Sequence, residues 1–443
     1  MKIRKILSRI LLYFLAVLTI GLLVRAFFNY RMGEKLEAYI GDRQAQGMAF
    51  SRKALMPECS ESENGANLWK AAEALFSREG VDVVLLRDTM EAFFQGRALE
   101  PDVREELKKM IANNSRVFQF MEEAAEKPCF RYGDWGKNMY EMRIPDAVKM
   151  INAIRLLGID AVFKADEGHV HEAIDQIRWA RLFVQKTLDE PLLITGLLAL
   201  ANMKYLQTCL MRIINGRDID SGTLNMIIQD LNPELWREKF VRGIHGERIF
   251  FLENASAVLE GDMDVLDYNL GDRIFFWVMR PATKADILWA QKMFDKVGSA
   301  SLLPYYEIKE SHKDITQDIE SIPWTFRLSG GLFPNFSSTW LKEAILEALM
   351  GTGQIALACK IHRSLEGRFP ENISQLVPDI LPEEPLDPFT GKPFIYKLME
   401  DGFVVYSVGS NEKDDGGRAT FQVMKLVMEK DDDWPWRERI NKK

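Results

Sequence analysis

The pattern of apolar and polar positions divides the chain into three unequal stretches. The first is KIRKILSRILLYFLAVLTIGLLVRAFF, predominantly apolar from Ile10 to Val24 and flanked by Arg9 and Arg25. These 15 residues fall short of the roughly 20 a helix needs to cross a bilayer core. Ile6, Leu7 and Ala26 to Phe28 extend the apolar length, however, and both arginines can snorkel. A cleaved secretory signal would need small residues after the run, where Leu22, Leu23, Val24 and Arg25 are bulky or charged. The expectation is a cytoplasmic tail and uncleaved signal-anchor over 1–30, embedded through residues 6–28.

The second stretch, 31–335, reads as a helical domain. Residues 31–50 continue as a helix leaving the membrane, and 51–65 form a polar connector. ANLWKAAEALFSREG places Leu68, Trp69, Ala72, Leu75 and Phe76 on one side. TMEAFFQGRALEPDVREELKKMIANNSRVFQFMEEAAEK predicts two helices, the second opening near Pro101, with Glu105 and Glu106 early and Lys108 and Lys109 later, as the helix dipole favours. IPDAVKMINAIRLLGIDAVFKADEGHVHEAIDQIRWARLFVQKTLDEP reads as two antiparallel helices joined at Asp166-Glu167-Gly168. Ala161, Gly168, Ala173, Ile177 and Ala180 sit where a tetratricopeptide-type hairpin takes small or apolar residues. No period of about 34 residues recurs, so the unit is solenoid-like and not an array.

LLITGLLALANMKYLQTCLMRII is apolar nearly all round, yet Asn202, Lys204 and Gln207 argue for a buried helix and against a second span. Further helices are expected over Asp220–Leu231, Pro233–Gly243 and Glu247–Glu260. Phe275 to Met279 form an apolar run read as a core-plugging or helix-docking segment. An amphipathic helix with Ile287, Leu288, Met293 and Phe294 follows. SIPWTFRLSGGLFPNFSS, with Pro323, Gly330-Gly331 and Pro334, is the strongest boundary signal in the chain.

The third stretch, 336–428, reads as one helix and a small turn-rich β unit. ALMGTGQIALACKIHRSLEGRFP sets Leu349, Ile355, Ala358, Cys359 and Ile361 at helical spacing. It stops at Gly367, with Pro370 just beyond. Gly351-Thr352-Gly353 lacks the lysine of a phosphate loop and is read as a close helix-packing point. Asp387-Pro388 and Thr390-Gly391 mark turns, while Phe394 to Tyr396 and Phe403 to Tyr406 are β-prone. The acidic, aromatic tail 429–443 is read as surface.

Composition bounds this picture and charge sharpens it. The chain is 47% hydrophobic and 28% charged, with net charge -8, which suits a globular protein of two or three domains. Residues 1–31 hold six cations and no acid, leaving -14 on the rest. So acidic a body excludes nucleic-acid binding through clustered cations. The basic tail places residues 1–5 in the cytoplasm and the body outside it. None of the four cysteines has metal-site spacing. Cys209 and Cys359 fall on apolar helical faces as buried thiols. Cys59 and Cys129 lie in polar, turn-like surroundings, where they either pair in an oxidising compartment or stand as separate thiols.

Catalytic signatures are lacking: there is no G-x-S-x-G, H-E-x-x-H, Walker lysine loop or G-x-G-x-x-G. His169 and His171 would need a third ligand from elsewhere and are read as an exposed turn. His245 and His362 are read as surface or cap residues. The loop YSVGSNEKDDGG differs. Ser407, Asn411, Asp414 and Asp415 bring hard oxygens together between turn-forming Gly409, Gly416 and Gly417. Calcium takes about six to eight oxygens from such a loop. A solvated acidic turn without an ion is the alternative reading.

Two segments, HRSLEGRFPENISQLVPDILPEEPLDPFTGKPF and YSVGSNEKDDGG, resemble the soluble head of the major pseudopilin of type II secretion systems. The resemblance covers about 344–417. It implies an α+β head and a calcium site held by the Val408 carbonyl, Asn411, Asp414, Asp415 and, from the acids before Trp434, Asp432. The chain departs from that family in three ways. Asn411 replaces an aspartate, an insertion separates the loop from the last acids, and no prepilin-peptidase site precedes the apolar run. The head also follows some 300 residues of helical domain, so ordinary packing into a pilus fibre is not expected.

The resulting expectation is a mainly α protein: a single N-terminal transmembrane helix, a helical solenoid-like domain and a C-terminal α+β pseudopilin-like domain. The function expected is a bacterial envelope-anchored binding or scaffolding protein of the inner membrane, with its body extracytoplasmic, a protein partner and a link to secretion machinery. The alternative is an extracytoplasmic hydrolase with an unrecognised site.

Overall fold

The computed structural model describes residues 2–56, 58–76, 80–133, 144–262, 268–334, 336–418 and 434–439. Within them the chain is mainly helical, closed at its C-terminal end by a small sheet. Helix α1 (Lys2–Ala45) leads through α2 (Arg52–Leu55) to α3 (Gly65–Leu75), α4 (Val83–Phe94), α5 (Pro101–Asn113) and α6 (Ser115–Ala125). The centre consists of α7 (Ala147–Asp166), α8 (Val170–Thr187), α9 (Leu193–Ile214), α10 (Ser221–Asp230) and α11 (Glu234–Glu260). Then come α12 (Leu270–Val278), α13 (Arg280–Ala300), α14 (Tyr305–Glu320), α15 (Arg327–Leu332) and α16 (Ser337–Glu366). Strands β1 (Ile395–Met399), β2 (Gly402–Ser407) and β3 (Trp434–Arg439) follow.

Helix starts follow capping chemistry. The Asp82 carboxylate accepts the Val84 and Leu85 N–H groups at 2.8 and 2.9 Å. Asp146 does the same for Val148 and Lys149. These contacts satisfy donors that a helix N-terminus leaves open. The sequence reads as a single helix from about Pro101 to residue 127, but the structure has two, α5 and α6, separated by a break at Asn114. Its side-chain amide donates to the Met110 carbonyl at 2.8 Å, diverting the backbone where an asparagine competes with the helix ladder.

The α7–α8 hairpin turns at Glu167-Gly168, with Gly168 in the left-handed region at φ 98°. Ala161, Ala173, Ile177 and Ala180 are all buried, and α9 lies against both helices. Gly158 makes that approach close, because a Cβ there would sit 2.7 Å from Cys209 Sγ. Helices α3 and α6 pack together against α8, where Trp69 and Phe130 both meet the Phe183 ring. Cys59 and Cys129 form a disulfide across 70 residues. Trp69 and Ala72 on α3 and Phe76 just after it are buried as expected, but Leu75 is exposed.

The break expected between Gly243 and Glu247 does not occur, and α11 runs unbroken from Glu234 to Glu260. Its glycines mark close packing. A Cβ on Gly243 would lie 3.3 Å from the Leu192 carbonyl oxygen, and one on Gly246 would collide with that of Pro191. The Pro/Gly-rich stretch before 336 is tied to the body at buried Leu328 and Ser329. Buried Asp286 on α13 accepts the N–H groups of Leu328 and Ser329 and the Ser329 hydroxyl. The carboxylate thereby supplies the cap that α15 lacks in its own sequence.

Helix α16 is apolar enough to cross a membrane, but its most apolar window is 89% buried inside the protein. It touches α9, α10, α14, β2 and β3, so one hydrophobic core runs across the boundary expected near 335. Both glycines of the Gly351-Thr352-Gly353 motif are contact points. A Cβ on Gly351 would lie 2.6 Å from Phe394, and one on Gly353 would lie 2.5 Å from Gln207 Nε2.

The sheet is antiparallel in the order β1-β2-β3, with Tyr396 opposite Val405 and Val405 opposite Trp436. Strand β2 is buried along its whole length because it is central and covered by α16. Strand β3 corrects the expectation of a surface tail. Trp436 and Glu438 are buried, Trp436 Nε1 donates to Asn215 Oδ1 at 2.9 Å, and Glu438 pairs with Lys360 at 2.7 Å. The remainder of 429–443 lies outside the described residues.

Candidate functional site

The loop after β2 is built on Asp387. In the DPFTG turn its carboxylate accepts the Phe389 N–H at 2.9 Å, and its carbonyl accepts the Gly391 N–H at 2.8 Å. This self-bonded turn is what an Asp-Pro start favours. The same buried carboxylate then accepts the Ser407 hydroxyl and the Val408 N–H, each at 3.0 Å. Burial raises its pKa, against the pull of these hydrogen bonds. Asp387 therefore fixes where the loop begins, a role that its turn motif alone did not reveal.

Beyond Val408 the backbone curls through four left-handed residues: Gly409, Glu412, Gly416 and Gly417. Glu412 is the one without glycine's freedom, and its carboxylate pairs with Lys309 of α14. Asp414 accepts the Tyr406 hydroxyl at 2.6 Å and the Gly416 N–H at 2.9 Å, and it lies 3.4 Å from Lys397 Nζ. The Tyr406 hydrogen bond, first among these, holds its carboxyl below the usual range. Asn411 donates to Asp415 at 2.8 Å and accepts the Lys413 N–H at 3.0 Å.

The expected ligands thus share a loop, but their oxygens face different partners. Asp414 is turned to Tyr406 and Asp415 to Asn411, while Asp432 lies outside the described residues. Among the described residues, no three His, Cys, Asp or Glu side chains are grouped to hold a metal ion. His169 and His171 are exposed on their turn, as expected. His245 is not a surface residue. It is half-buried, its Nδ1 has no hydrogen-bond partner among the described residues, and burial with neighbouring Arg248 pushes its pKa down to about 4.

Sequence reasoning missed a second carboxyl cluster. Glu343 and Glu347, one turn apart on α16, are both buried, and Arg237 of α11 pairs with Glu347. Burial raises both pKa values, and the Glu347 charge adds to the effect on Glu343, whose Oε1 has no hydrogen-bond partner among the described residues. The signal was present as two acids inside the apolar run LKEAILEALM. A polar cleft of about 350 Å³ opens between Arg217-Asp218-Ile219 and the end of α16 at Lys360 and Arg363. Its cations are engaged: Lys360 with Glu438 and Arg217 with Asp166, both at 2.7 Å.

Helix α9 fills the inner face of the α7–α8 hairpin, where Met203, Leu206 and Leu210 are buried. That face presents packing, not an open groove. At the other end, α1 is long and apolar enough to span a membrane, and its most apolar window is wholly unburied. Its C-terminal part docks along α13. Lys284 Nζ donates to the Asn29 carbonyl at 3.1 Å, and Arg43 pairs with Asp295 at 2.8 Å. No protein-family model, curated protein or solved structure matches this chain.

Proposed function

We propose that this chain is an envelope-anchored binding or scaffolding protein of the bacterial inner membrane. In this reading α1 crosses the bilayer once, the body stands on the extracytoplasmic side, and the pseudopilin-like C-terminal unit links it to secretion machinery. The observation that carries the anchoring is α1 itself, one 44-residue helix whose exposed apolar half continues without a break into the half docked on α13. A helix joined in this way holds the body at a set distance from the bilayer. The Cys59–Cys129 disulfide supports an oxidising compartment for the body.

The buried acids favour a scaffold over the extracytoplasmic hydrolase. Asp286 caps α15, Asp387 ties two turns together, and Glu347 joins α16 to α11. Each holds one element to another. Calcium enters the proposal only at the loop after β2. There the ion would exchange the Tyr406 and Asn411 contacts for the Val408 carbonyl, Asn411, Asp414 and Asp415, with Asp432 completing the set.

Affinity isolation of the full chain from solubilised membranes tests the secretion link. Recovery of secretion-apparatus components, lost when the 406–417 loop is replaced, supports it, and their absence from the eluate overturns it. Topology is tested separately by protease treatment of spheroplasts. Digestion of the body without lysis is expected, and protection until lysis would place the body in the cytoplasm.

A further inference from the structure

The run Phe275 to Met279 reads as a core-plugging or helix-docking segment, but of α12 only Phe276 is buried. Leu270, Ile274, Trp277 and Val278 are exposed, at 73, 56, 58 and 45%. Their spacing of i, i+4, i+7 and i+8 puts them on one side of the helix. Trp324, the ring of which lies 6.4 Å from that of Phe275, is 80% exposed and extends the patch. So concentrated an apolar surface marks an interaction face and not a random scatter.

The position of the patch identifies what covers it. Arg25 of α1 donates through Nε to the Trp277 and Val278 carbonyls at 3.2 Å each, and its guanidinium lies 4.5 Å over the Trp277 ring. The last carbonyls of a helix attract cations, so this contact pins the C-terminal end of α12 to α1 at one height. Arg25 lies at the outer limit of the apolar run. Ile6 to Phe28 is 23 residues, or about 34 Å of helix, against a bilayer core of about 30 Å. Arg25 lies three residues, about 4.5 Å, short of Phe28. Where α1 spans the membrane, the end of α12 therefore sits at the boundary of the hydrocarbon.

We propose that α12, with Trp324, lies in the outer interface of the bilayer that α1 spans, burying the Leu270–Ile274–Trp277–Val278 face among lipid headgroups and the first acyl carbons. Tryptophan prefers that zone because its ring is apolar and its N–H is polar. An amphipathic helix binds there through its apolar face. The inference rests on the anchor reading of α1. It adds a second membrane contact, which fixes the tilt of the body as well as its distance.

Spin labels on the full chain in phosphatidylethanolamine–phosphatidylglycerol vesicles test the proposal. Native cysteines do not interfere, because Cys59 and Cys129 are bonded to each other and Cys209 and Cys359 are buried. Labels are placed by Ile274→Cys and Trp324→Cys, with Leu18→Cys as the acyl reference and Glu105→Cys, a 68% exposed side chain, as the water reference. The ratio of collision with oxygen to collision with a water-soluble nickel chelate is expected to be highest at 18, lowest at 105 and intermediate at 274 and 324. A ratio at 274 and 324 equal to that at 105, with 18 in lipid, overturns the proposal and leaves the anchor standing. Labels at 274 and 324 shielded from both reagents also overturn it, in favour of a protein or second-copy contact. A water-like ratio at 18 removes the anchor reading, and this inference with it.

Discussion

Arg43 on α1 lies 2.8 Å from Asp295 on α13. The same carboxylate accepts the Tyr39 hydroxyl and pairs with Arg248 of α11, so one acid joins three helices. Arg248 is fully buried, and desolvation lowers its pKa. Removing Asp295, the one acid paired with it among the described residues, would leave a buried cation. Asp295→Ala is expected to destabilise the body by about 3–5 kcal/mol. Denaturant unfolding of the detergent-solubilised full chain measures this, and a loss below 1 kcal/mol would show that Arg248 finds water or another acid.

Glycine contacts on α16 predict a second effect. A Cβ on Gly353 would meet Gln207 and Leu231, at 2.5 and 3.1 Å. Gly353→Ala should cost about 1–3 kcal/mol through overpacking. A fragment starting at Ser337 is expected not to fold cooperatively alone, because α9 and α10 cover the apolar face of α16. Circular dichroism during heating distinguishes the outcomes, and a sharp two-state melt of the fragment would contradict this reading.

The buried acids make stability depend on pH. Desolvation raises the pKa of Asp286 to about 6 and that of Glu343 well above the usual range. The folded state then binds more protons than the unfolded state between the ordinary carboxylate values and the raised ones. Their contribution is fully present below about pH 4 and is lost as pH rises, for Asp286 through about 6. Glu343→Gln removes a charge that has no partner for Oε1. It should raise stability at pH 8 by on the order of 1 kcal/mol or more and change it little at pH 5. Equal effects at the two pH values would refute the assignment.

Asp414 holds two donors, the Tyr406 hydroxyl and the Gly416 N–H. Asp414→Ala should therefore lower stability even in chelator, by about 0.5–1.5 kcal/mol. Calcium bound in exchange for these contacts would appear as a further rise in Tm in the parent chain that the variant lacks. At a hundredfold excess over Kd that gain is about 2.7 kcal/mol. Identical Tm values in chelator and millimolar calcium would take the ion out of the proposed function.

Reduction of the Cys59–Cys129 disulfide frees a loop of 70 residues. Loop entropy in the unfolded state predicts a loss of about 4 kcal/mol. Thermal unfolding with and without reductant measures it, and Cys59→Ser should reproduce the loss without reductant.

Local sequence determined the elements, because helix and strand formation depends on near neighbours. The apolar run of α1, the Gly168 turn, the small residues of the α7–α8 hairpin and the β-prone segment of β2 were legible from spacing alone. Tertiary structure decided which apolar surfaces meet. The segment from Gly243 to Glu247 reads as a break between two helices, but Gly243 and Gly246 are sites where the Pro191–Leu192 backbone approaches an unbroken α11. Pro323 to Pro334 reads as a linker, yet Asp286, more than 40 residues earlier, caps the helix within it. Trp436 reads as a surface aromatic and is buried because Asn215, 221 residues away, receives its N–H. Phe275 to Met279 read as a docking segment, yet of α12 only Phe276 is buried, and Ile274, Trp277 and Val278 stay exposed beside Arg25, at the level where α1 emerges from its apolar run. Composition could not supply these outcomes, since each depends on a partner brought close by the fold.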